Sequence, residues 1–558
     1  MTRKRISAAE GTLPQTPASL RVVLLTMDHH LASAAMRADA RLRKDMPGVS
    51  LGVHTAASWR NQEDALEACR QDLAQADLII VSMLFMEDHF LPILDDLRAQ
   101  RDRCDAMVCI MSAPEVMQLT RMGRYVASAE PSGLVGLLRK LRPTPRRDAG
   151  TAHSSQTAGA RQMAMLRRLP KLLRFIPGTA QDLRVFFLTM RYWLAGSEDN
   201  LRSMVHLLIQ RYAQGERAVW QERTQVQEPV EYPEVGVYHP RMPTRFSEDL
   251  AGLPGLKDAR KPVIGLLVLR SYLLSGNTSH YDAVIEALED QGYAVVAAFA
   301  SGLDARPAIE RYFFKNQKTR IEALISLTGF SLVGGPAYND AKAAEKILTT
   351  LDVPYLTAHP LEFQSIDQWA QSARGLLPVE STIMVAIPEL DGATSPMVFG
   401  GRTGGKGTTC HGCSRACTFD SAQDVHDMFV CSERTEQLVA RVSRWVQLRL
   451  KPRDQRRLAI VLFNFPPQAG NVGTAAFLAV FESLFNTLHS LKDQGYAVDV
   501  PGSVDELRDM MLQGNSKELG THANVMARVA ASDHVARETW LREIEAEWGP
   551  APGSHLTD

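Results

Sequence analysis

The feature that most limits how this chain can fold is an alternation. Short apolar runs rich in Val, Ile and Leu recur between stretches whose apolar residues fall at helical spacing. Residues 22–25, 51–53, 78–81 and 107–110 have the length and β-branched character of strands, and residues 32–44, 62–75 and 91–101 between them have the helical period. A helix inserted between strands returns the chain to the same sheet edge, so the strands run parallel with helices on both faces. Residues 21–142 are therefore expected to form a flavodoxin-like α/β domain. Residues 1–20 read as a disordered tail: Arg3, Lys4 and Arg5 are followed by Ala, Glu, Gly, Pro and Ser where a signal peptide would carry its apolar core.

The alternation then breaks and resumes. Pro143, Pro145 and the Gly-, Ala-, Ser- and Thr-rich residues 149–159 mark a linker over 143–160. Leu169, Leu172, Leu173 and the runs 183–194 and 201–212 predict a helical connector over 161–227, with Gly196 closing one helix and Asp199 starting the next. Pro229, Pro233, Pro240 and Pro243 then impose an extended crossing segment. A second α/β region over 228–402 is expected, with strands at 263–269, 294–299, 323–327, 355–356 and 384–387 and helices at 281–290 and 340–351. A cysteine-rich loop over 403–434 precedes a further α/β region, 435–558, with a helix at 435–450, a strand at 458–463 and a helix at 474–494. The fold class is α/β: several doubly wound parallel-sheet, flavodoxin-like subdomains joined by a helical connector.

Composition narrows the function. With 558 residues, 45% of them hydrophobic and 22% charged, the chain can fill several cores. Sixty-two Lys and Arg against 63 Asp and Glu leave a formal net charge of −1, so no global basic field is available for nucleic acid. The basic residues Arg139, Lys140, Arg142, Arg146, Arg147, Arg161, Arg167, Arg168, Lys171 and Arg174 form a local run, but lack the interleaved aromatics on which bases stack. They read as a solvated face, or as a docking strip for an acidic partner or an anionic membrane. No apolar stretch approaches the roughly 20 residues of a membrane helix. A cytoplasmic location is expected, with peripheral membrane attachment left open.

Four of the seven cysteines, Cys410, Cys413, Cys417 and Cys431, are bunched in a Gly- and Thr-rich stretch, unlike the scatter of a disulfide framework. A Cys-x-x-Cys loop turns both sulfurs to one side, so the set is a candidate ligand group for Zn2+ or a 4Fe-4S cluster; an unoccupied or redox-active thiol loop is the alternative. The neighbouring Gly400-Gly401-Arg402-Thr403-Gly404-Gly405-Lys406-Gly407-Thr408 nearly matches a phosphate loop. It places Gly407 where the Mg2+-binding hydroxyl belongs, and the chain then enters the cysteine loop instead of a helix. ATP, if used, is hydrolysed elsewhere.

Between an expected strand and helix, Ser271 to Tyr281 offers hydroxyls and backbone N–H groups. Arg270, Ser275, Asn277, Thr278 and His280 are the candidate substrate-binding residues there, suited to an anion such as a carboxylate. A plain helix cap by Thr278 or Ser279 is the competing explanation. The Gly-rich loop from Ser326 to Pro336 is expected at the same sheet edge. His29, His30, His54, His89, His239 and His359 show no metal-ligand spacing.

Several longer stretches carry a family resemblance. They include Arg174 through Arg184 (RFIPGTAQDLR), Tyr192-Trp193-Leu194-Ala195-Gly196-Ser197, Leu269 through Asp282, Gly334-Gly335-Pro336-Ala337, Phe399-Gly400-Gly401-Arg402, Phe465-Pro466-Pro467 through Ala476, and Trp548-Gly549-Pro550. By these the chain resembles the N-terminal part of the large porphyrin-binding H subunit of magnesium chelatase, within the cobaltochelatase large-subunit superfamily. The cysteine insertion resembles the bacteriochlorophyll branch. The resemblance implies an enzyme of the ligase class that forms nitrogen–metal bonds. It implies binding of protoporphyrin IX, with Mg2+ as substrate ion and ATP hydrolysed by partner AAA+ motor subunits of the I and D types. Family chains continue well past Trp548-Gly549-Pro550, and the His- and Glu-bearing motifs assigned to metal handling lie there. A separate C-terminal half is accordingly an expected partner, and no catalytic residue is carried onto this chain. Two alternatives remain: a non-catalytic porphyrin-binding or metal- or redox-sensing derivative, and a cobalt-inserting relative.

Overall fold

A computed structural model of the chain describes residues 19–27, 31–56, 59, 63–127, 169–334, 339–403, 409–418, 427–463, 472–473, 475, 477–513 and 529–550. The tail, the linker, most of the basic run, His29, His30, the Gly335-Pro336-Ala337 and Gly404-to-Thr408 stretches and most of the Phe465-to-Ala476 motif lie outside the described residues. The chain divides into two compact units, Met1–Val446 and Gln447–Asp558.

The first unit begins with β1 (Leu20–Thr26), α1 (Ala32–Asp45), β2 (Val49–Thr55), α2 (Glu63–Ala74), β3 (Leu78–Ser82), α3 (Glu87–Gln100) and β4 (Ala106–Ile110). The sheet order is β2-β1-β3-β4, all parallel, continued antiparallel by the short β5 (Arg121–Met122) and β6 (Tyr125–Val126). The expected strands and helices are all present, a residue or more longer or shorter at their ends. β1, β3 and β4 are apolar at nearly every position because both faces are covered. Val22, Leu24, Leu78, Ile80 and Val108 enter one core, and Val23, Leu25, Ile79, Val81 and Met107 enter the other.

The expected connector is not a separate bundle. Its helices α4 (Thr179–Ala195) and α5 (Glu198–Tyr212) share the core of the first sheet, with Leu183, Trp193, Leu201 and Leu208 packed among Leu24, Ala35 and Leu42. Periodicity identifies the apolar face but cannot say what it covers. Gly196 closes α4 in the left-handed region, φ 55°, where an added Cβ would sit 2.9 Å from Leu31. Ser197, not Asp199, caps α5, accepting a hydrogen bond from Asn200 N at 3.3 Å; Asp199 lies in the first turn, where its charge suits the helix dipole.

The second sheet of this unit is built from β7 (Val235–Tyr238), β8 (Phe246–Ser247), β9 (Val263–Leu267), β10 (Ala294–Ala300), β13 (Ala323–Ser326), β14 (Tyr355–Ser365), β15 (Thr394–Arg402) and β16 (Phe429–Val430). Their order across the sheet is β16-β15-β14-β13-β9-β10-β7-β8. A separate hairpin pairs β11 (Phe314–Lys315) with β12 (Lys318–Thr319). β10, β9, β13, β14 and β15 are mutually parallel, and chain order reverses between β9 and β13. That reversal is where open α/β sheets leave a crevice at the strands' carboxyl ends. Helices α6 (Ser279–Asp290) and α7 (Ser432–Leu450) cover one face through Val284, Leu288, Leu438 and Val442.

Two expectations about this region are corrected. Residues 384–387 are not a strand: Ser381–Ala386 winds as a π-helical turn and leads into a helical turn at Ile387–Leu390. A four-residue apolar run has no period long enough to separate strand from buried helix, and Pro378 and Pro388 both occupy first-turn positions that suit a helix start. The strand expected at 355–356 runs to Ser365. Its interior Pro360 and polar Glu362 and Gln364 are accommodated by register shifts against β15.

Within Gln447–Asp558 the described elements are helices at Val480–Asp493, Val504–Gln513, Ala531–Arg537 and Leu541–Trp548, with short turns. The strand expected at 458–463 is absent. That segment pairs with no described strand and leaves Val461 91% exposed, and an isolated extended segment has no ladder to hold it. The helix expected from residue 474 begins at Val480. The helices present Phe485 toward His489, while Met510, Trp540 and Trp548 lie exposed.

Candidate functional site

The segment after β9 carries the five candidate substrate-binding residues at the carboxyl edge of the second sheet: Arg270 and Ser275 in a short helix, Arg270–Ser275, Asn277 and Thr278 in the turn after it, and His280 in the first turn of α6. Each already has a local environment. Arg270 donates from Nε to the Pro233 carbonyl at 2.8 Å and from Nη2 to the Tyr232 carbonyl at 3.1 Å, tying the crossing segment to the sheet. Buried Ser275 donates to the Tyr272 carbonyl, and its own carbonyl accepts from Arg37 on α1. Asn277 Oδ1 accepts from Met428 N at 2.8 Å, while its Nδ2 is buried with no partner. Thr278 occupies the N-cap position of α6 without capping it; its hydroxyl donates to Asp282 instead. Ser279, beside it, donates to the Met428 carbonyl at 2.7 Å.

This loop is thus a junction. Arg37 joins it to the first sheet's α1 and lies 3.6 Å from both Asp427 and Glu198, and the Met428 contacts fasten the end of the cysteine segment. His280 sits beneath, fully buried against Tyr281 (ring centroids 3.8 Å apart), Tyr272 (5.4 Å) and Phe399 (6.0 Å). Neither ring nitrogen has a hydrogen-bond partner, and burial pushes its pKa down to about 3, so the ring is neutral.

A second group of side chains, outside the candidates read from the sequence, meets this loop. The register shift between Leu361 and Ser365 lifts Glu362, Phe363 and Gln364 out of the β14–β15 ladder. Glu362 accepts a hydrogen bond from the Tyr272 hydroxyl at 2.7 Å. Gln364 donates to Glu380, which also accepts from Leu377 N at 3.0 Å and is fully buried. β15 can close on its neighbours here because of Gly400 and Gly401. A Cβ on Gly400 would lie 2.4 Å from the Phe429 carbonyl oxygen, and one on Gly401 2.6 Å from the Leu361 Cβ. Arg402, paired in register with Ser365, is thereby carried to the edge beside Glu362 and Glu380. The signal in the sequence is two glycines followed by an arginine, and the same three residues open the phosphate-loop pattern that fails at Gly407.

The crevice at the β9–β13 reversal, lined by Val268, Phe299, Ser326, Thr328 and Phe330, holds about 30 Å3, room for one or two waters. A drug-sized ligand needs several hundred Å3, so this crevice does not admit one; Phe363, Leu377 and Val379 lie exposed.

The cysteine segment returns along the same edge. Thr409 and Thr418 form an antiparallel bridge, Cys410 N donates to the Cys417 carbonyl at 2.8 Å, and Cys431 N donates to the Phe399 carbonyl at 3.0 Å. Cys410 is buried against Leu361, Ile366 and Val398. Burial raises the Cys431 thiol, with smaller contributions from nearby Glu433, Cys413 and Cys410. Among the described residues no three His, Cys, Asp or Glu side chains converge closely enough to hold a metal ion.

The family model described as CobN/Magnesium Chelatase matches residues 190–558, and one described as a domain of unknown function (DUF3479) matches residues 21–187. The chain belongs to the CobN/magnesium chelatase family. The magnesium-chelatase H subunit of Cereibacter sphaeroides is 48% identical over 538 residues, covering 96% of this chain and 44% of the relative. That of Rhodobacter capsulatus is 47% identical over 98% of this chain and 45% of its own length. A chloroplastic magnesium-chelatase subunit, ChlH, from Oryza sativa is 32% identical, over 97% and 38%. The chain therefore spans less than half the length of these relatives. Among solved structures, the catalytic subunit of cobaltochelatase from Mycobacterium tuberculosis superposes with a TM-score of 0.52 over 97% of this chain and 36% of that one. At 19% identity this likeness speaks for the fold.

Proposed function

We propose that this CobN/magnesium chelatase family member forms the tetrapyrrole-holding front portion of a magnesium chelatase large subunit. In this reading it presents protoporphyrin IX for insertion of Mg2+ in bacteriochlorophyll synthesis. The observation that carries the reading is the 48% identity to a magnesium-chelatase H subunit across 96% of the chain. The polar, bulged edge of the second sheet, flanked by exposed apolar side chains, supports it. Mg2+ is small and keeps its waters tightly, and two pyrrole protons must leave as it enters, so the ring has to be held and oriented while the ion is stripped. The energy is assigned to partner motor subunits of the I and D types that hydrolyse ATP. The remaining chemistry is assigned to the part of the relatives' length that lies outside this sequence. The setting is the cytoplasm; no helix among the described residues is long and apolar enough to cross a membrane.

The four cysteines are proposed as a Zn2+ or 4Fe-4S centre in this reading. Cys410 and Cys417 already face each other across a short bridge; Cys413 and Cys431 would have to close on them. The test uses one anaerobic preparation of the chain. Titration with protoporphyrin IX should quench porphyrin fluorescence saturably, and the same protein should carry about one zinc or about four irons per chain, the stoichiometries of those two centres. Unsaturable quenching refutes the porphyrin reading, and metal-free protein refutes the centre.

A further inference from the structure

Before α4 the chain makes a short helical turn at residues 169–173 and then a corner, Arg174-Phe175-Ile176-Pro177-Gly178. On the inner side Leu169 and Leu173 are buried, Leu173 in the core shared with β1 and α1. On the outer side Phe175 is 83% exposed, Leu172 66% and Ile176 39%. The corner is fastened in this shape. The Gln181 side-chain amide donates to the carbonyls of Leu173 at 2.9 Å, Arg174 at 3.2 Å and Ile176 at 2.6 Å, and Arg184 Nε donates to the Pro170 carbonyl at 3.2 Å. Gly178, at φ 79°, turns the chain into α4. Single exposed apolar residues are ordinary on any surface, but three held together at one rigid corner mark an interaction site.

The charge beside them has one sign. Lys171 and Arg174 are exposed at the corner, and so is Arg124 in the neighbouring β5–β6 turn. Over residues 139–174 the sequence carries ten Lys and Arg against one acid, Asp148, although the whole chain has a net charge of −1. Extending the stretch to Asp182, which accepts from the Tyr212 hydroxyl and from Arg124 N, leaves ten against two. A protein partner of ordinary affinity needs about 20–30 residues a side, and this corner offers a handful. A bilayer asks for less: a few apolar side chains that enter the interfacial region, and cations that meet anionic head groups.

We propose that this corner is a peripheral membrane anchor. Phe175, Leu172 and Ile176 insert among the lipids of an anionic bilayer, while Lys171, Arg174 and the basic run before them meet the head-group phosphates. The attachment is reversible, because a short apolar insertion with charge attraction falls far short of a spanning helix. It does not depend on what the second sheet binds.

The test sediments the full chain with vesicles of phosphatidylcholine alone and of equimolar phosphatidylcholine and phosphatidylglycerol. Binding to the mixed vesicles should be at least about tenfold tighter than to the neutral ones, and salt should weaken it. Phe175→Ser, which removes a ring that lies mostly in water and so leaves the core unchanged, should weaken binding roughly 10- to 100-fold, the worth of burying one phenylalanine. Lys171→Glu combined with Arg174→Glu should abolish the preference for the anionic vesicles. Equal binding of the unaltered chain to both vesicles, or to neither, overturns the proposal, as does undiminished binding by Phe175→Ser. Capture by soluble polyglutamate as tight as by the anionic vesicles would make the corner a site for an acidic polypeptide and overturn it too.

Discussion

Unfolding in urea is expected to need far less denaturant at pH 5 than at pH 7, because three histidines are buried as neutral rings. His280 and His359 have no hydrogen-bond partner at either nitrogen, and burial depresses them to about 3 and about 4. His206 is depressed to about 4 by burial and by Arg202, and its Nδ1 accepts from Gln225 N at 3.4 Å, which a protonated ring could not do. Each is a base whose folded pKa lies below its unfolded value near 6.5. Above pH 6.5 both states are neutral and nothing is lost. Below it the unfolded chain takes up protons that the folded chain refuses, so stability falls as pH falls, until about pH 4 for two rings and about pH 3 for His280. At about 1.4 kcal/mol per ring per pH unit, the three together remove roughly 6 kcal/mol between pH 6.5 and pH 5. Fluorescence of buried Trp193 and Trp220 reads the transition. His280→Phe, which fills the same aromatic slot without a titrating group, should flatten about a third of the slope. A urea midpoint that does not move between pH 7 and pH 5 would refute this account of the rings.

Trp220→Ala should destabilise the first unit by about 3–5 kcal/mol. The ring is completely buried and closes the core formed by β1, β2, α4 and α5. It rests on the backbone at Gly48, so closely that a Cβ there would lie 2.4 Å from the ring. Removing the indole leaves a cavity between layers that the two helices hold apart. Gly48→Ala alone should also destabilise, by driving a methyl into the ring. The double variant should lose less than the sum, because the methyl then occupies part of the vacated space. Denaturant midpoints of the four proteins check this. A loss below about 1 kcal/mol for Trp220→Ala would mean that the 213–227 segment is not an integral part of this core.

Sequence periodicity is a good guide where an element is covered on both faces, as in β1, β3, β4, β9 and β10, since a run of apolar residues can then have few other meanings. It is a poor guide where geometry depends on a neighbour. β14 is legible only at its first two residues, because Pro360, Glu362 and Gln364 break any strand pattern, and the bulge that tolerates them exists only against β15. The helices after the linker are identified by their apolar faces, but that those faces belong to the first sheet depends on contacts more than a hundred residues apart in the chain. At the candidate site, the loop after β9 is visible in the sequence, and what its residues do is less so. Arg270, Asn277 and Ser279 bind backbone groups from distant segments, Pro233 and Met428, which no local motif announces. Arg402 is visible as a residue, but its place beside Glu362 and Glu380 is not, since that rests on which groups surround it in three dimensions.

The central claim, that this chain is the tetrapyrrole-holding front of a chelatase large subunit, is tested most directly by replacing the matching residues of the Cereibacter sphaeroides H subunit with this chain. The hybrid is assayed for ATP-dependent Mg2+ insertion into protoporphyrin IX with the motor subunits of that organism. The account predicts insertion within about tenfold of the parent, a difference of no more than about 1.4 kcal/mol in the barrier. A folded, soluble hybrid that neither retains protoporphyrin IX nor inserts Mg2+ would contradict it.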